Sequence, residues 1–169
     1  ELDEATSYNH LGRAYIHHVA GTVGMPIIVF ADSLYCSKAA VKFGASKSKT
    51  YIKRIKQNQK LMKQWAKCAP MNFEHRYWLI EAELAALANK AGKASRYYKK
   101  AIHLAQENDF INDEAVSLER FAQFCLAQDN QMVAGLYLRK AYITYEKWGA
   151  KAKLVQMREH YYELLVPED

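Results

Sequence analysis

WLIEAELAALANKAGKASRYYKKA (residues 78–101) and LERFAQFCLAQDNQMVAGLYLRKA (residues 118–141) carry one pattern twice. Trp78, Ala82, Ala94, Tyr98 and Ala101 recur forty positions later as Leu118, Ala122, Ala134, Leu138 and Ala141, with spacings of 4, 12, 4 and 3 in both copies. Residues three and four apart share one face of a helix, and a gap of twelve leaves room for one helix to end and another to begin. Small residues let two antiparallel helices approach closely, while the bulky ones fill the space towards the next hairpin. Residues 75–149 therefore read as two consecutive helical hairpins, and this decides the fold.

The large and small positions have the spacing of a tetratricopeptide-type hairpin, whose usual length is about 34 residues; forty implies longer helices or a longer connection. Asn72 is a suitable N-cap for the first helix of the pair, which carries Trp78, Leu79, Ala82, Ala85, Ala86 and Leu87. Gly92 marks the turn into a helix over about Lys93–Glu107. Asn112 caps the next helix, with Asp113 and Glu114 placed at its positive end. Asp129 or Asn130 caps the one after, and Gly149 stands where a C′ glycine ends it. A last helix covers about Ala152–Leu165 before Pro167.

Upstream, Ser46 or Ser48 caps a helix with an apolar stripe at Ile52, Ile55, Gln59, Met62 and Ala66, ended by Pro70. Pro26 suits the first turn of a helix running through Ile27, Phe30, Leu34 and Val41 to a stop near Gly44. Ile27–Phe30 has the composition of a strand, but no other stretch offers a partner for one. Residues 3–20 read as a further helix, with Leu11, Ala14, Tyr15, His18 and Val19 expected on one face. The expected fold is all-α, about eight helices in antiparallel hairpins stacked as a tetratricopeptide-like array. One domain over 1–169 is expected, with N-terminal hairpins in 1–70 and the tetratricopeptide-like hairpins in 71–169.

Composition agrees with this. Half the residues are hydrophobic and a quarter charged, so the chain can build a core. Twelve tyrosines suit helix seams, where the ring packs and the hydroxyl stays wet. Tyr97, Tyr98, Tyr137, Tyr142 and Tyr145 are expected to pack between hairpins or to line a peptide groove. Three cysteines, Cys36, Cys68 and Cys125, are an odd number set far apart. They read as reduced thiols in a cytoplasmic setting and not as a disulfide framework. No apolar run reaches the ~18 residues that span a membrane, and the start at Glu1 suggests a piece of a larger protein.

The net charge of +6 is unevenly spread. Between Ser33 and Phe73 lie ten Lys or Arg and no acid, whereas the rest of the chain has fourteen against eighteen Asp or Glu. Lys49, Lys53, Lys56, Lys60, Lys63 and Lys67 step by four and three, forming one stripe of a helix. Such a stripe can track a phosphate backbone or an anionic membrane. The favoured reading is a solvated face opposite Ile52, Ile55, Gln59, Met62 and Ala66, or one that meets an acidic neighbour in the parent protein. With only Tyr51 and Trp65 nearby and no groove-reading motif, nucleic acid is not the expected partner.

The sequence lacks the common metal-binding, phosphate-binding and paired-carboxylate motifs. His17 and His18 are adjacent and point apart on a helix, and neither His-x-x-x-His nor Cys-x-x-Cys occurs. Gly21 and Gly24 lack the Gly-Lys-Ser/Thr that completes a phosphate-binding loop. Glu81 and Glu83 are two apart and cannot face each other as a carboxylate pair. No catalytic, cofactor-binding or metal-ligating residue is assigned, no cofactor is expected, and the segment reads as a non-enzyme.

A family resemblance adds to this. Ala69-Pro70-Met71-Asn72-Phe73-Glu74-His75-Arg76-Tyr77-Trp78-Leu79 with Glu81-Ala82-Glu83, and Asn112-Asp113-Glu114-Ala115 with Glu119, are the first segments that carry it. Phe124-Cys125-Leu126-Ala127, Tyr137-Leu138-Arg139-Lys140-Ala141 and Trp148-Gly149-Ala150 with Lys153 continue it. Asn58-Gln59 and Trp65-Ala66 belong to it, and Asp32-Ser33-Leu34 is a weaker echo. Over residues 56–153 the chain resembles the helical repeat region of very large multidomain signalling proteins. These join a protein-kinase-like module, a signal-transduction P-loop ATPase, GAF sensors and a histidine kinase. The pattern departs after Leu126-Ala127, where Gln128-Asp129 replaces the usual glycine, which bears on the turn geometry and not on the fold. No catalytic residue of that family falls within this segment.

The resulting expectation is a cytoplasmic, non-catalytic protein-interaction or regulatory scaffold. It would bind a protein partner or a neighbouring domain within a signal-transduction kinase/ATPase. Interrupted solenoid ends also leave room for a homodimer. If the first helix of each hairpin lines the concave side, the partner groove takes Arg76, Leu79, Glu83 and Leu87 from one copy. The next copy contributes Val116, Glu119, Gln123 and Leu126. The alternative is a module binding nucleic acid or an anionic surface through Lys49–Lys67.

Overall fold

The structure, a computed structural model, describes residues 24–166. The helix expected over residues 3–20, with His17 and His18, lies outside them. Among the described residues there are seven α-helices and no strand: α1 (Gly24–Lys42), α2 (Gly44–Cys68), α3 (Pro70–Leu87), α4 (Ala91–Glu107), α5 (Ile111–Leu126), α6 (Gln131–Trp148) and α7 (Lys151–Leu165). Ile27–Phe30 is helical. The chain divides into two compact units, Glu1–Ala94 and Ser95–Asp169.

In the first unit α1, α2 and α3 pack on one another. The stripe expected on α2 faces inward: Ile55 and Met62 are fully buried and Gln59 nearly so. Polar groups set the register of these helices. Asp32 of α1 accepts from Arg54 Nε at 2.9 Å and Asn58 Nδ2 at 2.7 Å, and Arg54 Nη2 also donates to it. Asn58 Nδ2 lies 3.1 Å from Ser33 Oγ as well. Asp32 and Ser33 of α1 therefore meet Asn58 of α2 here, and Arg54 is turned away from the basic stripe. One position on, Gln59 Nε2 donates to Tyr77 O at 3.1 Å and to Glu81 Oε1 at 2.9 Å, tying α2 to α3.

Helix starts differ from the sequence reading where backbone geometry outweighs side-chain caps. Ser46 and Ser48 lie inside α2, which opens at Gly44 after the single linking residue Phe43. Pro70 ends α2, which stops at Cys68, and is itself the first residue of α3, so Asn72 sits in the first turn and caps nothing. The reason is that proline needs no N–H there and drives the preceding residue out of the helical region. Ala69 accordingly has φ −141° and ψ 74°. Phe110, not Asn112, precedes α5. Asn130 does cap α6, accepting from Val133 N at 3.2 Å.

In the second unit, α5 packs on α6 and α6 on α7. The α4 ring of Tyr98 reaches Phe121 and Phe124 of α5 with centroids 5.5 and 5.4 Å away. Phe121 in turn meets Tyr137 of α6 edge to face at 4.5 Å, a geometry favoured by the ring quadrupoles. Of the ten register positions of the doubled pattern, nine are buried; Trp78 is half-buried, with Nε1 donating to Glu74 Oε1 at 2.8 Å.

The turns sharpen the register. Asn89, Asp109, Asp129 and Gly149 have φ of 55°, 58°, 56° and 82° and stand twenty residues apart. Each donates its N–H three residues back, to Ala86, Gln106, Leu126 and Glu146. The following residues, Lys90, Phe110, Asn130 and Ala150, donate five back, to Ala85, Ala105, Cys125 and Tyr145, at 2.9–3.0 Å. This is the Schellman closure, in which a left-handed residue satisfies two orphan helix carbonyls. The forty-residue hairpin is thus two twenty-residue helix–turn units. Gly92 lies in the first turn of α4, and Asn89 makes the bend. Asp129 takes the left-handed conformation itself, so the missing glycine leaves the turn intact, because a short polar side chain tolerates that region.

Candidate functional site

On α3, Arg76 is half-buried, with its guanidinium 5.4 Å from the centre of the Phe30 ring. Leu79 is fully buried and Glu83 is 5 % exposed, so of the four expected groove residues on this helix only Arg76 and Leu87 offer appreciable surface. On α5, Val116, Gln123 and Leu126 are half-buried, and Glu119 is 6 % exposed.

Glu119 is the hub of a network joining α5 to α6 and α7. Its Oε2 accepts from the Tyr145 hydroxyl at 2.8 Å, and its Oε1 from Lys153 Nζ at 2.8 Å and Gln123 Nε2 at 3.2 Å. Gln123 Nε2 also meets the Tyr161 hydroxyl at 3.0 Å, where α7 is kinked at φ −133°. Burial, and then the Glu119 carboxylate, push the Tyr145 hydroxyl far above the usual phenol range. Burial likewise raises Tyr137 and the Cys125 thiol. The polar residues expected to face a partner from α5 are therefore engaged by the chain's own last helix.

The six lysines of the stripe, Lys49, Lys53, Lys56, Lys60, Lys63 and Lys67, are all exposed along α2. Three of them do more than form a stripe. Lys56, Lys60 and Lys63 wall a cleft of about 440 Å³, with Gln59 beside them, Tyr77, Glu81, Leu84, Ala85 and Ala88 on the α3 side, and Lys90 and Lys93 at the end. The sequence reading missed Lys90 and Lys93. No spacing rule relates them to α2; only the antiparallel packing of α2 on α3 brings the turn after α3 alongside Lys56–Lys63. Lys49 and Lys53 do not line this cleft; with Ile52 and Gln57 they line a neighbouring hollow that shares Lys56 and Lys60 with it.

In the second unit, a mainly apolar hollow of about 340 Å³ lies against α6 and α7, lined by residues such as Tyr142, Ile143, Tyr162 and Val166. Among the described residues, no three His, Cys, Asp or Glu stand close enough to hold a metal ion, and no helix is long and apolar enough to cross a membrane. All three cysteines are free thiols, Cys68 exposed and Cys36 and Cys125 buried. Comparison with protein-family models, curated proteins and solved structures returns no match.

Proposed function

We propose that this chain is a non-catalytic protein-interaction and regulatory scaffold, a tetratricopeptide-like array within a larger cytoplasmic signal-transduction protein carrying kinase and ATPase modules. It binds a protein partner or a neighbouring domain. The observation that supports this most is the twenty-residue register, in which one turn geometry recurs at Asn89, Asp109, Asp129 and Gly149. Repeating helix–turn units hold a stable buried face while their exposed residues are free to suit a partner, which is how helical repeats serve as binding surfaces. The resemblance over residues 56–153 supports the signalling context.

The test is photo-crosslinking from Arg76, Leu87, Val116 and Leu126, each replaced singly by a photoreactive amino acid in the full-length protein. Expected are discrete protein–protein or interdomain adducts, mapped by mass spectrometry. Adducts confined to nucleic acid or lipid overturn the reading.

The exposure of all six lysines favours one competing function, a module that binds polyanions through Lys49–Lys67. Steeply salt-dependent binding to random-sequence DNA or anionic vesicles, abolished by Lys→Glu changes along the stripe, is its signature.

A further inference from the structure

We infer that the cleft walled by Lys56, Lys60 and Lys63 and closed by Lys90 and Lys93 docks an acidic amphipathic helix of a protein partner. This rests on the scaffold reading and gives it a surface and a partner chemistry.

Charge comes first. Five ammonium groups surround this cleft against one carboxylate, that of Glu81, which already accepts from Gln59. Lys56, Lys60, Lys63 and Lys90 make no ion pair among the described residues. Five like charges gathered around a single carboxylate repel one another, and an acidic ligand relieves that repulsion. The orphan N–H groups at the start of α4, next to Lys90, add to the positive potential.

Spacing comes second. Lys56, Lys60 and Lys63 advance along α2 by ~10 Å in about two turns. A partner helix with carboxylates at i, i+4 and i+7 repeats at the same pitch, so laid along α2 it meets all three lysines together.

The floor decides between partner classes. Leu84, Ala85 and Ala88 line the α3 side of the cleft, and two alanines leave room for a partner's apolar side chains. A phosphate backbone has no apolar face to place there. The aromatic residue lining the cleft, Tyr77, is half-buried and set edge-on to Trp78 with centroids 5.2 Å apart, a poor platform for stacking bases. Acidic charge on an apolar helix suits both the walls and the floor.

The experiment is fluorescence anisotropy with the full chain at ~150 mM salt, where long-range attraction is screened beyond ~8 Å. The probe is a labelled amphipathic peptide, ~24 Å long as a helix, with glutamates at i, i+4 and i+7 and leucines on the adjoining face. An isomer of equal composition with dispersed glutamates, a DNA duplex and phosphatidylserine vesicles are the comparisons.

The patterned peptide is expected to bind about tenfold more tightly than its isomer. Lys56→Glu with Lys60→Glu and Lys63→Glu should weaken it at least about tenfold, and Lys90→Glu with Lys93→Glu about as much. Lys49→Glu with Lys53→Glu, outside the cleft, should change it by less than about threefold. Lys→Gln versions replace any reversal that lowers helicity by circular dichroism. Equal losses from all three sets, tighter binding to DNA or vesicles, or no peptide binding overturns the inference. Failure here with crosslinks from Arg76, Leu87, Val116 and Leu126 intact sinks the cleft alone, whereas loss of those crosslinks sinks the scaffold reading.

Discussion

Glu119→Ala should destabilise the second unit by about 2–4 kcal/mol without any partner present. Glu119 is 6 % exposed, and its carboxylate accepts from three side chains. Its removal leaves the Tyr145 hydroxyl, on a residue only 3 % exposed, without its acceptor, and an unsatisfied buried donor costs ~1–3 kcal/mol. The lost methylene and the space behind it add ~1 kcal/mol. Lys153 contributes little, since its side chain is 27 % exposed and keeps Gln156 Oε1 at 2.6 Å; such a pair is worth ~0–1 kcal/mol.

Urea denaturation of Glu119→Ala, Tyr145→Phe and the double variant gives the coupling directly. Tyr145→Phe alone should cost ~1 kcal/mol. The double variant should cost ~1–2 kcal/mol less than the sum, because the second change removes the donor stranded by the first. Glu119→Gln keeps an acceptor for Tyr145 and should recover about half the loss. A cost of Glu119→Ala below ~0.5 kcal/mol, the range of an ordinary surface change, or strict additivity with Tyr145→Phe would refute the assignment of Glu119 as a structural hub.

Three more outcomes follow from the same geometry. Tyr145 has a folded-state pKa raised above the unfolded value of ~10, so its contribution is fully present below pH ~10. It is lost as pH rises beyond that, by up to ~1.4 kcal/mol per pH unit; urea midpoints of Tyr145→Phe and the parent chain should stay apart below pH ~10 and converge between about pH 10 and 11. Gly149→Ala should cost ~1 kcal/mol and Asp129→Ala somewhat less, whereas Asp129→Gly should cost nothing, because a left-handed turn penalises Cβ unless a short polar side chain compensates; thermal unfolding checks this. Asp32→Ala should cost ~3 kcal/mol in urea denaturation, since it strands the guanidinium of Arg54 and one donor of Asn58.

The hairpins were legible because large and small residues alternate at helical spacing, and Ala82, Ala94, Ala122 and Ala134 are all fully buried. The halved period was not, because its turn positions are filled by Asn89, Asp109, Asp129 and Gly149. These share a backbone conformation and not a residue type. Gly92 and Asn112 looked like better breakers, yet each lies just inside a helix. The basic stripe could be read from its spacing alone, whereas the cleft could not, since Lys90 and Lys93 join it only through tertiary packing. Burial of Glu119 was hidden for a similar reason. Lys153 and Tyr145, which engage it, lie on α7 and α6.

That this fold offers a protein-binding surface in its basic cleft is tested most directly by hydrogen–deuterium exchange of the full chain with and without the patterned acidic peptide. Slowed exchange should map to the stretch around Lys56–Lys63, to the end of α3 near Leu84–Ala88, and to Lys90–Lys93. Protection confined to the stripe around Lys49 and Lys53, protection confined to the second unit, or no protection at all would contradict it.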